Sequence, residues 1–150
     1  MSIFDDIEEA AREAKRASLR RKIEEKEERL QAVIKEIAEV ETNIAEKETG
    51  ITNFQTVINE YDDAKEKTLE GLNDMSQCLE SLEIVEGYSE YITYYFVGAY
   101  GSARQGFLME TMDLLGKALQ KKKDRLEELY NLKTQLEADI TALNTELGAI

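Results

Sequence analysis

The chain has 150 residues, a net charge of −13, one cysteine, and no histidine, proline or tryptophan. Without histidine, a Ser-His-Asp triad and the usual His-containing zinc sites are excluded, and a single cysteine excludes an internal disulfide and points to a reducing compartment. Most of the negative charge falls within 51–101, which argues against a nucleic-acid partner, and no apolar run approaches the roughly 18 residues of a membrane span.

Residues 1–17 place Ile3, Phe4, Ile7, Ala10, Ala14 and Ala17 at helical spacing and predict a short amphipathic helix. Basic residues lie in and after it, from Arg12, Lys15 and Arg16 to Arg20, Arg21 and Lys22. A membrane surface is one reading of such a segment. The acids Asp5, Asp6, Glu8 and Glu9 disfavour it, and a docked or frayed terminal helix is the other reading. The same acids stand where a secretory signal needs positive charge, so the chain is expected to start in the cytoplasm.

The apolar frame slips near 17–19 and then holds to about residue 84. Ile23, Leu30, Ile37, Ile44, Ile51, Ile58, Leu72 and Leu79 form one heptad row. Val33, Val40, Phe54, Tyr61, Met75 and Leu82 form the second, three residues on. These are the a and d positions of a coiled coil. Gly50 and Gly71 fall outside the seam and need not end the helix. Thr52 with Gln55 is a possible capping box, so a bend or restart at 49–52 is one alternative to a continuous helix.

Residues 85–101 break the heptad and gather five of the chain's seven tyrosines. Tyr88, Tyr91 and Tyr95 can share a helical face, whereas YITYYFV also has strand propensity. Gly98 and Gly101 suit a chain reversal through positive φ. Two compatible readings stand for Tyr88, Tyr91, Tyr94, Tyr95, Phe96, Gly98 and Tyr100: an aromatic plug closing the turn, or a surface that binds a partner.

A second frame follows over 102–150, with Met112, Leu119, Leu126, Ile140 and Leu147 in one row. Leu108, Leu115, Leu129, Leu136, Leu143 and Ile150 form the other. Ser102 with Gln105 is the expected cap. Two apolar stripes that must be buried predict an all-α fold: an elongated antiparallel helical hairpin with coiled-coil heptads, turning within 85–101. Charge suggests a register with Lys117, Lys121, Lys122, Lys123 and Arg125 opposite Asp62, Asp63, Glu66 and Glu70. Lys26, Lys47, Lys65, Lys122 and Lys133 interrupt the seams, with Lys65 and Lys122 at similar heights in that register. Either their stems snorkel, or a further helix, from another copy or a different protein, joins the seam.

The sequence contains no phosphate-binding glycine loop and no metal-ligand motif. Cys78 has no histidine to act as its base. An enzyme is therefore not expected, nor a cofactor or metal.

The turn carries a resemblance. Helix, Phe96-Val97-Gly98, helix is similar to the Trp-x-Gly hairpins of the WXG superfamily, with Ala103 and Phe107 following on the outgoing helix. The chain's length and charged coiled coil more closely resemble the small helical accessory proteins of LXG toxins. The resemblance implies a protein that binds the toxin's helical N-terminal domain, alone or with a second small accessory protein, and helps present it to type VII secretion. It also implies that the chain can leave the cell with its partner. Phenylalanine replaces the family's tryptophan, and no Tyr-x-x-x-Asp/Glu export signal is present; Phe4-x-x-x-Glu8 is the nearest analogue. The reading of a different class is a self-assembling structural coiled coil, such as a phage or cytoskeletal spacer, forming a homodimer or higher oligomer. A prefoldin-like chaperone would need two β-hairpins that 85–101 is too short to supply.

Overall fold

The computed structural model describes residues 3–78 and 83–150. The fold is an all-α helical hairpin of three helices, α1 (Ile3–Cys78), α2 (Glu83–Phe96) and α3 (Ala99–Gly148). The described residues contain no strand. None of the helices is long and apolar enough to cross a membrane.

α1 is helical throughout. The frame slip at 17–19 does not break it, so the N-terminal segment is part of the long helix and not a separate one. A slip in apolar period moves the sticky face around the helix but leaves every backbone hydrogen bond intact. Of the two alternatives at 49–52, the continuous helix is the one observed, with no restart. The Thr52 hydroxyl donates back to the Glu48 carbonyl at 3.0 Å and Gln55 donates to Asn59 at 3.0 Å, so the capping box does not form. Residues 79–82, with the expected seam positions Leu79 and Leu82, lie outside the described residues.

Two compact units divide the chain. The first joins residues up to 44 with 121–150. Here Leu19, Ile23, Val33, Ile37, Val40 and Ile44 of α1 and Leu129 and Leu136 of α3 form the buried core. Their alternating three- and four-residue spacing is the predicted heptad, and each such side chain contributes about 1.5–3 kcal/mol by leaving water. The antiparallel register is read from the polar contacts beside the seam: Lys15 with Glu146 at 3.7 Å, Lys26 with Asp139 at 2.9 Å, and Arg125 with Glu36 at 2.9 Å. Arg125 therefore does not face Asp62, Asp63, Glu66 or Glu70. The charge-based register is wrong because exposed ion pairs are worth too little to set it; the apolar seam sets it instead. Lys26 is accommodated in the seam by Asp139, and Lys122 belongs to this unit, whereas Lys65 belongs to the other.

The second unit is residues 45–120. Its seam is more open: Ile51, Phe54, Ile58 and Tyr61 of α1 and Leu108, Met112, Leu115 and Leu119 of α3 are all half-buried. The Tyr61 and Phe96 rings lie 6.0 Å apart. From Tyr61 to Cys78 is about 25 Å along α1, and α2 is about 20 Å long. The link between Cys78 and Glu83 reaches at most about 18 Å, so α2 can only run back along α1. Residues 85–101 are the start of the returning arm, mostly helical, and not the tip of the hairpin. The strand propensity of YITYYFV is overridden by this packing.

Candidate protein-docking surface

Between α2 and α3 the returning arm bends. The last α2 bonds run from Val97 N–H to Thr93 O at 2.8 Å and from Gly98 N–H to Thr93 O at 3.1 Å and Tyr94 O at 3.2 Å. Ser102 N–H then donates to Gly98 O at 2.9 Å. α3 therefore begins at Ala99, and Ser102 sits within its first turn, so the expected Ser102–Gln105 cap is not made. No described glycine has positive φ, which corrects the reason given for the two glycines. Gly101 is needed because the bend presses it onto α2: a Cβ there would overlap the Phe96 carbonyl and lie 2.8 Å from Tyr95 O. At Gly98 a Cβ would meet Tyr94 O at 2.9 Å.

The bend gathers rings that a straight helix would spread apart. Tyr95 packs edge-on to Phe96 with centroids 5.0 Å apart and lies 5.4 Å from Tyr100. The Arg104 guanidinium enters this group, 4.9 Å from the Tyr95 ring, 5.2 Å from Tyr61 and 5.6 Å from Tyr100. Each ring face attracts the cation. Its interaction with the Tyr95 hydroxyl, first among the causes, raises the Arg104 pKa above its ordinary value. The Tyr61 hydroxyl and Arg104 Nη1 are buried without a hydrogen-bond partner.

Around this half-buried centre lies an exposed aromatic rim. Tyr88, Tyr91, Tyr94 and Tyr100 are 55%, 64%, 57% and 48% exposed, and Phe107 is 68% exposed. The sequence-predicted residues therefore divide by role. Tyr88, Tyr91 and Tyr95 share one face of α2, as their spacing predicts; Tyr95 is half-buried there because Tyr100 and Arg104 cover it, Phe96 packs inward, Gly98 stands at the bend, and Tyr88, Tyr91 and Tyr94 face water. Tyr100 belongs to both groups. Phe107 edges a groove of about 470 Å³ that Val57, Tyr61, Tyr100, Ala103, Arg104 and Leu108 also line. Such a groove, apolar with one cation in its wall, can receive the apolar face of a helix.

Sequence reasoning missed Arg104 and the contribution of Tyr61 and Val57 from α1. The signal for Arg104 was present: it is the sole basic residue between Lys67 and Lys117. Elsewhere, Phe4 is 78% exposed and Glu8 pairs with Arg12 at 3.6 Å. The Cys78 side chain lies outside the described set. No family model, curated protein or solved structure matches the chain.

Proposed function

We propose that the chain is a non-enzymatic accessory or targeting factor that binds the helical N-terminal domain of a secreted LXG toxin and promotes its type VII export. The observation that carries the reading is the aromatic rim of Tyr88, Tyr91, Tyr94, Tyr100 and Phe107, about half or more exposed beside an apolar groove. Large rigid aromatics around a central arginine are the residue types that dominate binding energy at protein interfaces. Contiguous apolar surface of this kind marks an interaction site in a water-exposed protein. The half-buried seam of residues 45–120 supplies the same kind of surface along the helices. Mechanism follows from mass action: a partner that binds only the folded toxin domain stabilises it, and the joint surface is what the secretion machinery reads.

Co-expression with an LXG protein encoded beside this chain tests the reading. Co-purification of the two and reduced toxin export in a strain lacking this chain are expected. Failure to co-purify, with export unchanged, would sink it.

A further inference from the structure

The two units differ along one flank of their seams. In an antiparallel pair, the g positions, each one residue before an a position, line the same side of the seam on both helices. In the unit of the two chain ends this flank is mostly charged: Lys22, Arg29 and Glu36 of α1, with Arg125, Asp139 and Glu146 of α3. Arg125 pairs across it with Glu36 at 2.9 Å. That is the pattern of two helices that need no third. In unit 45–120 the same flank is Gly50, Val57, Ala64 and Gly71 on α1, with Thr111 and Ala118 on α3. Arg104 is its one charged residue, and it is held against the ring faces of Tyr61, Tyr95 and Tyr100.

Apolar residues at a, d and g together make a stripe wide enough for two neighbours, whereas a and d alone suit one. In this unit α1 and α3 give each other only one. The stripe widens again on α3, where Tyr100, Phe107 and Leu114 stand at heptad spacing one row further out and are exposed. The groove that Phe107 edges lies on this flank, with Val57 and Tyr61 on its α1 side. Gly50 and Gly71 weaken a helix, and a Cβ at either would meet no atom within 4 Å. Packing within the chain does not require them, but bare backbone lets another helix come close.

Charge selects the occupant. The outer edge of the groove on α1 carries Glu46, Glu60 and Asp74, all exposed, and Lys67 is the only base in that row. Unit 45–120 as a whole has 14 Asp and Glu against 5 Lys and Arg, a net −9. A second copy would lay −9 against −9 along this groove. A helix with lysines or arginines beside its apolar stripe instead meets acids on α1 and apolar side chains on α3.

We infer that unit 45–120 takes a third helix, supplied by a partner protein, laid in this groove between α1 and the returning arm. Its apolar face rests on Val57, Phe107 and Leu114, and its basic flank faces Glu46, Glu60 and Asp74. The Tyr95 and Tyr100 rings, 5.4 Å apart, join the groove to the exposed tyrosines of α2. From Tyr91 to Ala118 the combined surface is about 40 Å long, which a partner helix of roughly 27 residues spans. The inference rests on the aromatic rim being a docking surface and adds the chemistry of what docks there.

The probe is a designed helical peptide of about four heptads, with leucine at a, d and g and lysine on the flanking positions. Its twin carries glutamate for each lysine. Fluorescence anisotropy of each labelled peptide against the full chain reads binding. The lysine peptide is expected to bind at least about tenfold tighter than the twin. Val57→Glu and Leu114→Glu should each weaken it at least about tenfold with circular dichroism unchanged, although each adds a negative charge. Met109→Glu, on the opposite flank, should leave binding within about twofold. Binding of neither peptide, equal binding of both, or tighter binding to Leu114→Glu, which marks attraction by charge alone, would overturn the inference. So would a wild-type dimer in sedimentation that Leu114→Glu dissolves, since a second copy would then fill the groove. The peptide assay can fail while a toxin domain still co-purifies, so the two readings fall separately.

Discussion

Lys26 occupies a seam position where an apolar residue is the rule, and Asp139 answers it from α3 at 2.9 Å. The Asp139 carboxyl is held below its usual range by the Lys26 hydrogen bond and next by that from Gln135. A depressed carboxylate contributes stability above its unfolded pKa and loses it as pH falls through the folded value. The contribution is therefore present at neutral pH and fades below about pH 4. Asp139→Asn is expected to lower the urea midpoint at neutral pH and to flatten its fall in acid; an unchanged acid profile would show the pair to be idle. Tyr130 behaves oppositely, because its hydrogen bond to Glu41 raises its pKa. That contribution is present below the ordinary tyrosine value and lost as pH rises through the folded one, so Tyr130→Phe should flatten the alkaline limb. Leu129, 1% exposed, is an apolar counterpart: Leu129→Ala should cost about 2–5 kcal/mol in urea unfolding.

At the scale of elements, the heptad rows were legible because side-chain period follows from helix geometry whatever the partner. Leu19, Val33, Ile37, Leu129 and Leu136 are buried where the period puts them. The register and the turn were not legible. Surface charges cannot fix a register that the fit of apolar side chains decides, and the loss of heptad over 85–101 leaves helix and strand equally open to a reading of local pattern. Gly98 and Gly101 read alike in sequence as turn residues, yet neither has positive φ. What distinguishes Gly101 is contact with a carbonyl five residues earlier, which only the bent structure reveals. Gly101→Ala should therefore destabilise unit 45–120 by about 1–3 kcal/mol, as overpacking does. Gly50→Ala and Gly71→Ala have open space at the added Cβ and should be neutral or stabilising by up to about 1 kcal/mol. Thermal unfolding of the three variants checks the opposite signs; a destabilising Gly50→Ala would mean that α1 is not regular there.

For the molecule as a whole, the sequence already placed most of the aromatic surface correctly, since Tyr88, Tyr91, Tyr94, Tyr100 and Phe107 are all water-exposed. It could not say which rings are structural. Tyr95 and Phe96 turn inward because the bend at 97–98 folds Arg104 and the Tyr61 face of α1 onto them, a long-range contact that no local pattern encodes. The inward-packed rings and the exposed rim are consequently different residues of one cluster. Tyr91→Ala with Phe107→Ala should weaken a partner at least about tenfold while leaving helicity unchanged, whereas Phe96→Ala should lower stability first. The most direct measurement is amide hydrogen exchange on the chain with and without an LXG domain that co-purifies with it. Added protection concentrated in residues 83–107 is expected. Protection confined to residues 19–44, or none at all, would contradict a docking surface built on the aromatic bend.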